Sequence, residues 1–155
     1  MLQNLRKQQK GFTIIEVLIV LAIAGLILLI VFLAVPALQR NSRNTQRSGD
    51  ASKVAGAISQ CLSNRNGQVA SCQSLANVQT NGGLELAKLS QITTVNVADG
   101  TPAIPGDFVS VNAGFSARCQ DDGSDAVAST NTRQAAVTYR QETGGGGFIG
   151  RCVDI

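Results

Sequence analysis

The sequence predicts an α+β protein: one long N-terminal α-helix, membrane-spanning and then amphipathic, packed on a small antiparallel β-sheet domain. Three observations lead there. An almost unbroken apolar run occupies residues 12–35. Helical periodicity returns at Ala51, Val54, Ala55, Ile58, Cys61 and Leu62, spaced i, i+3, i+4, i+7. Beyond residue 90, short β-rich runs alternate with glycine, proline and aspartate turn signals.

The apolar run, FTIIEVLIVLAIAGLILLIVFLAV, has Thr13 and Glu16 as its only polar members. At about 1.5 Å rise per residue it makes roughly 36 Å of helix, enough to cross a hydrocarbon core of about 30 Å. A cleavable secretory signal fits poorly, because such cores are about 7–15 residues long and end in a small-residue site. Pro36-Ala37-Leu38 is a weak one. The run is therefore expected to be a single membrane-spanning helix.

Composition removes several functions. The 155 residues include no His and no Trp, so Ser-His-Asp catalysis, Cys-His catalysis and His-ligated metal sites are excluded. Lys and Arg number 13 against 10 acidic residues, a formal net charge of +3. The surplus lies in Arg6, Lys7 and Lys10, and the remainder is formally neutral. Three basic residues precede the span and three follow it (Arg40, Arg43, Arg47), so the positive-inside rule does not orient it. The cysteines do. Cys61, Cys72, Cys119 and Cys152 all follow the span, and none forms a C-x-x-C pair. Disulfides in an oxidising compartment are the expected state, which places the C-terminal part outside the cytoplasm.

Glu16 lies about one turn inside an apolar helix, where a carboxylate is disfavoured unless it sits at headgroup depth near the positive helix terminus or finds a partner. Gly25 lies mid-span, where glycine costs about 1 kcal/mol relative to alanine; it permits close packing or marks a soft spot. Pro36 removes a helical hydrogen bond where the span ends.

The segment Lys10-Gly11-Phe12-Thr13-Ile14-Ile15-Glu16-Val17, leading into the apolar run, resembles the class III signal of type IV prepilins. The resemblance covers roughly residues 6–35. It implies a basic leader (1–11) cut after Gly11 by a membrane-embedded prepilin peptidase, which also N-methylates Phe12. It further implies that Glu16 pairs with the terminal amine of a neighbouring subunit and sets axial register; pairing with the amine of its own chain is the competing arrangement. The helix-breaking proline usual in such pilins falls nearer Leu33 than Pro36.

Residues 39–50 (QRNSRNTQRSGD) carry no apolar side chain, so no buried face is expected to hold them helical in isolation. Arg40, Arg43 and Arg47 share one helical face. That stripe offers a contact for DNA or phosphate; the favoured reading is a solvated or headgroup-facing stripe partly neutralised by neighbours. Asn64-Arg65-Asn66-Gly67 is the expected helix stop. Short helices are expected over 71–79 and 84–90. Strands are expected over 92–97, 108–111, 115–119, 135–140 and 148–153, arranged as three to five antiparallel strands in sequential order. Asp121, Asp122 and Asp125 lack calcium-loop spacing and read as a solvated turn. Residues 144–147, all glycine, read as a surface loop, not a phosphate loop. Residues 126–132 read as an exposed loop open to O-glycosylation, and Phe115 and Tyr139 as core aromatics.

Four cysteines allow three pairings. Cys61–Cys72 and Cys119–Cys152 are favoured because each closes a contiguous segment without crossing the other, and a bracketed C-terminal region is usual in pilins. These closures are worth roughly 3 and 4 kcal/mol in the loop-entropy account. The expected organisation is a leader (1–11), a transmembrane and filament-core helix (12–36), an amphipathic continuation (37–63) and an α+β head (64–155) with a C-terminal disulfide-bounded loop. The chain is expected to be a structural subunit of a type IV pilus, not an enzyme, and to need no cofactor or metal. A pseudopilin of a type II secretion or competence apparatus is the alternative. Implied partners are other copies in a helical filament, the peptidase/N-methyltransferase, an assembly ATPase with its platform protein, and the inner membrane before assembly. Motility and adhesion are the roles such filaments serve.

Overall fold

A computed structural model describes residues 11–155, which form two compact units, one ending at Leu38 and one spanning Gln39–Ile155. Arg6, Lys7, Lys10 and the rest of the leader before Gly11 lie outside the described residues. A long helix, α1 (Ile14–Asn64), contributes to both units. In the first unit α1 is exposed on all sides, from Ile14 to Leu38. Such a surface is stable only in lipid or against other apolar helices.

In the second unit α1 buries one face: Arg47, Asp50, Ala51, Val54, Ala55, Ala57, Ile58 and Cys61. The helix ends where the sequence predicts, because Asn66 and Gly67 take positive φ (53° and 76°) and the Gly67 N–H donates to the Leu62 carbonyl. A short 3₁₀ turn, Val69–Ser71, precedes α2 (Leu75–Gly82). The Ser74 hydroxyl caps α2 by accepting from the Asn77 N–H, and Gly83 closes it in the left-handed region. The helix expected over 84–90 is reduced to a 3₁₀ turn, Leu86–Lys88.

Six strands follow: β1 (Thr94–Asp99), β2 (Ser110–Phe115), β3 (Ala117–Cys119), β4 (Ala126–Ala128), β5 (Ala135–Glu142) and β6 (Phe148–Asp154). The main sheet has the order β1-β2-β5-β6, and β3 pairs with β4 separately. Neighbouring strands β2–β5 and β5–β6 are antiparallel, as expected, but β1 and β2 are parallel. The sequential all-antiparallel arrangement is thus corrected at two points. First, residues 100–109 do not fold back as a hairpin. Gly100 (φ 86°) turns the chain out of β1, and Pro102 and Pro105, which lack N–H donors, carry it across the sheet face. Its Ala103 carbonyl accepts from Asn112 Nδ2 on β2 and Thr138 Oγ1 on β5, each at 2.8 Å. Glycines make room beneath it: a Cβ at Gly114 would strike the Gly100 carbonyl, and one at Gly150 would strike Ile104. Second, Ser116, at φ 54°, breaks the expected 115–119 strand, so Phe115 ends β2 and Ala117 begins a separate ribbon. That ribbon takes Ala126–Ala128 from the segment expected to be loop.

The two central strands, β2 and β5, are buried on both faces. Val95, Val111, Ala113, Phe115, Val137 and Tyr139 pack towards Val54, Ile58 and Cys61 of α1, and the register places Val95 beside Val111 and Ala113 beside Val137. On the other side Ala136 packs with Ala117, Cys119 and Ala126.

Residues 39–50 are helical within α1 although they offer no apolar side chain. Polar contacts hold them. Asp50, 1% exposed, accepts hydrogen bonds from the backbone N–H groups of Ser90 (2.7 Å), Gln91 (2.7 Å) and Ile92 (3.2 Å) and pairs with Lys53 at 3.1 Å. Burial pushes this carboxyl up, but the bonds from Gln91, Lys53, Ile92 and Ser90 outweigh it and leave it below the usual aspartate value. Asp50 thereby fixes the segment that enters β1. Asp50→Ala leaves three backbone donors, that of Ile92 buried, and the Lys53 ammonium without their acceptor and is expected to destabilise the C-terminal unit by about 3 kcal/mol, read as a lower melting temperature of the full chain by circular dichroism.

Candidate functional site

The N-terminal segment is the first candidate. Gly11, Phe12 and Thr13 are non-helical and exposed, with Phe12 89% accessible, and α1 begins immediately after them. Thr13 and Glu16 form a reciprocal cap. The Glu16 carboxylate accepts from the Thr13 backbone N–H (2.8 Å) and hydroxyl (2.9 Å), while the Glu16 N–H donates to Thr13 Oγ1 (3.3 Å). Sequence reasoning weighed depth and partners for Glu16 but missed this bond; the Thr-x-x-Glu spacing was its signal. The acidic group sits in the first helical turn, where the helix dipole favours it. Among the described residues no cation pairs with Glu16. Gly25 lies within α1 with open space around its Cα, and α1 continues through Pro36.

The four cysteines form two disulfides, Cys61–Cys72 and Cys119–Cys152, with Cα separations of 6.1 and 5.5 Å. The first ties the end of α1 to the segment before α2. The second ties β3 to β6 and brackets β4 and β5.

The arginine stripe is divided by the fold. Glu142, at the end of β5, receives Arg43 at 2.6 Å and Arg47 at 2.8 Å. Asn44 completes the clamp: its Nδ2 donates to the Glu142 carbonyl at 2.8 Å, and its Oδ1 accepts from the Glu142 N–H at 2.9 Å. Arg47, buried, also donates to the Phe108 carbonyl at 3.1 Å, and its guanidinium lies over the Phe108 ring. Glu142 thus partly neutralises the stripe, and the expectation of a solvated or DNA-facing position is corrected for Arg47, which is buried, while Arg43 stays 41% exposed. Glu142 escaped sequence reasoning because its partners lie 99 and 95 positions away and no local pattern marks it.

Other expected features fall into place locally. Asp122 accepts from the Ser124 N–H and hydroxyl within a turn, and Asp121 lies 3.7 Å from Arg118. Residues 144–147 form the turn between β5 and β6, closed by the Thr143 N–H to the Gly147 carbonyl. Phe115 and Tyr139 are buried.

Hydrogen bonding from Arg43 lowers the Glu142 carboxyl to about 2, against some opposition from burial and with further help from Arg47. A depressed carboxyl stabilises the fold above its unfolded value near 4.5 and loses that contribution as pH falls towards about 2. Discounted for the half-exposed Arg43, the contribution is about 2 kcal/mol. Glu142→Gln is therefore expected to lower stability at pH 7 and to flatten its decline between about pH 4.5 and 2, as followed by denaturant melts across that range.

The comparisons with known proteins concern the N-terminus. A profile of the prokaryotic N-terminal methylation motif matches residues 6–32. No curated protein and no solved structure matches the chain. The matched residues include the exposed Gly11-Phe12 step and the Thr13–Glu16 cap, followed by a helix long and apolar enough to cross a membrane. This chain carries the N-terminal methylation motif, the class III signal of type IV pilins and pseudopilins.

Proposed function

We propose that the chain is the precursor of a structural subunit of a type IV pilus, cut between Gly11 and Phe12, N-methylated on Phe12 and polymerised through α1. The observation that carries this reading is the methylation motif at residues 6–32, joined to an α1 whose first half exposes apolar side chains on every side. The non-helical, accessible Gly11–Phe12 step supports it, since a peptidase needs extended, reachable backbone. The precursor sits in the inner membrane with residues 1–11 in the cytoplasm as leader and residues 64–155 outside as head; residues 12–36 span the bilayer and 37–63 continue the helix. Disulfides in the outer part accord with an oxidising compartment.

Assembly follows from surface chemistry. The apolar half of α1 passes from lipid to neighbouring copies of itself, so close packing and the matching of polar groups select the arrangement. Glu16 is the polar group available within that surface. The cleaved chain acquires a positive amine on Phe12, and pairing of that amine with Glu16 of a neighbouring copy sets the axial register. Gly25 and Pro36 are the positions where α1 yields as it leaves the membrane. The peptidase/N-methyltransferase, an assembly ATPase and its platform protein are the partners this sequence of events requires.

Two substitutions test it. Gly11→Glu is expected to leave full-length protein in the membrane fraction, seen by intact mass; normal shortening at Phe12 would refute the cleavage assignment. Glu16→Val leaves insertion and cleavage intact, because the span loses its one charged side chain and Lys10-Gly11-Phe12 is untouched. It is nevertheless expected to abolish or strongly reduce filaments in the sheared surface fraction, since the incoming amine meets no carboxylate. Wild-type protein that is cleaved yet absent from that fraction would instead indicate a pseudopilin.

A further inference from the structure

Outside residues 12–38, the large apolar side chains left exposed among the described residues are Val109 (43%), Phe148 (47%) and Ile149 (40%). They gather at one end of the sheet. Phe148 meets Phe108 edge to face at 6.5 Å, Val109 follows Phe108, and Ile149 follows Phe148 beside the Gly144–Gly147 turn. The Arg140 guanidinium lies 3.6 Å over the Phe148 ring. Arg43 and Arg47 reach Glu142, which stands opposite Phe148 in the β5–β6 register, and Arg40 lies one helical turn before Arg43. Neither Arg40 nor Arg140 forms an ion pair among the described residues. Four guanidinium groups therefore share this end with two carboxylates, Glu142 and Asp107, leaving a positive surplus around the exposed rings.

Chain length confines this end to the neighbourhood of the bilayer. Arg43 follows Val35, the last residue of the apolar run, by eight residues, which reach at most about 28 Å even when extended. Exposed aromatic and aliphatic side chains flanked by arginines suit the interfacial layer of a membrane, where rings sit at headgroup level and guanidinium groups meet phosphates. A two-fold pair of copies in the membrane is the less favoured occupant, because its self-complementary contact would bring the same arginine surplus against itself.

We propose that the end of the β5–β6 hairpin, with Phe148 and Ile149 at its apolar centre and Arg40, Arg43 and Arg140 around it, is a lipid-contact surface that seats the C-terminal unit on the anionic face of the bilayer holding the chain's own span. The proposal rests on the reading of residues 12–35 as a membrane span. It adds a second, weaker membrane attachment that must be released before a subunit can leave the bilayer.

The absence of tryptophan makes a single-tryptophan test possible. The full chain carrying Phe148→Trp is reconstituted in phosphatidylcholine vesicles with or without phosphatidylglycerol, using lipids brominated near the headgroup end of the acyl chains. Ala98→Trp, at an exposed position on β1, serves as the reference. Carbonate extraction verifies insertion in the same samples. The expected result is a blue-shifted, bromine-quenched emission for Phe148→Trp in anionic vesicles and none for Ala98→Trp. Adding Arg40→Gln should shift the docked-to-undocked ratio by about fivefold, the equivalent of about 1 kcal/mol per basic residue at an anionic surface. Equal, unquenched emission from both tryptophans in carbonate-resistant protein overturns the lipid contact and leaves the span intact. Extraction by carbonate overturns the span, and the proposal with it. Shielding that appears only at high protein-to-lipid ratio, without bromine quenching, assigns the surface to a second copy and overturns the lipid contact.

Discussion

The clamp of Arg43, Asn44 and Arg47 on Glu142 is the interaction on which the arrangement of the C-terminal unit depends. Residues 39–50 hold no apolar side chain, so hydrophobic burial cannot position this stretch of α1. Two guanidinium groups and a carboxamide grip the end of β5 through both its side chain and its backbone, and Asp50 grips the entry to β1 one turn later. The two grips fix the strands at two separated points along the helix. Between and beyond them, Ala51, Val54, Ile58 and Cys61 add the apolar contacts that make the placement favourable. Polar groups define the register here and apolar groups supply the cohesion.

The sheet meets a second constraint, having to be covered on the face away from α1 without a second helix. Parallel strands usually need a helical crossover of a dozen or more residues. Here the connection from β1 to β2 is a short extended segment with two prolines, laid across β2 and β5. Glycine at 114 and at 150 lets that segment approach closely, and Thr138 supplies it with a buried hydrogen-bond donor. The β3–β4 ribbon, tied to β6 by Cys119–Cys152, packs over Ala136 of β5. On this face crosslinking and close packing take the place of a second apolar layer.

The two halves of α1 belong to different solvents. In the first half every face is apolar; in the second, one face is buried against the sheet and the other carries Ser, Thr, Gln and Gly. Among the described residues the first half is exposed on all sides, whereas the second buries one face against its own sheet. The Thr13–Glu16 cap belongs to the same logic. It satisfies N-terminal donors of the helix and keeps a carboxylate at the end where a new amine would appear after cleavage.

What the sequence by itself determined rests on short-range physics. The span follows from hydropathy over consecutive residues, the end of α1 from Asn66 and Gly67, the buried face from helical periodicity, and strands 135–140 and 148–153 from alternation between glycine-rich turns. The methylation motif is likewise local, since its residues are contiguous. The tertiary structure alone decided the parallel pairing of β1 with β2, the departure of β3 and β4 from the main sheet, and the roles of Asp50 and Glu142. The parallel pairing and the roles of Asp50 and Glu142 depend on groups 16 to about 100 positions apart. No window of sequence contains both partners, and a buried carboxylate has the same local pattern as a solvated one until its donors arrive from another strand.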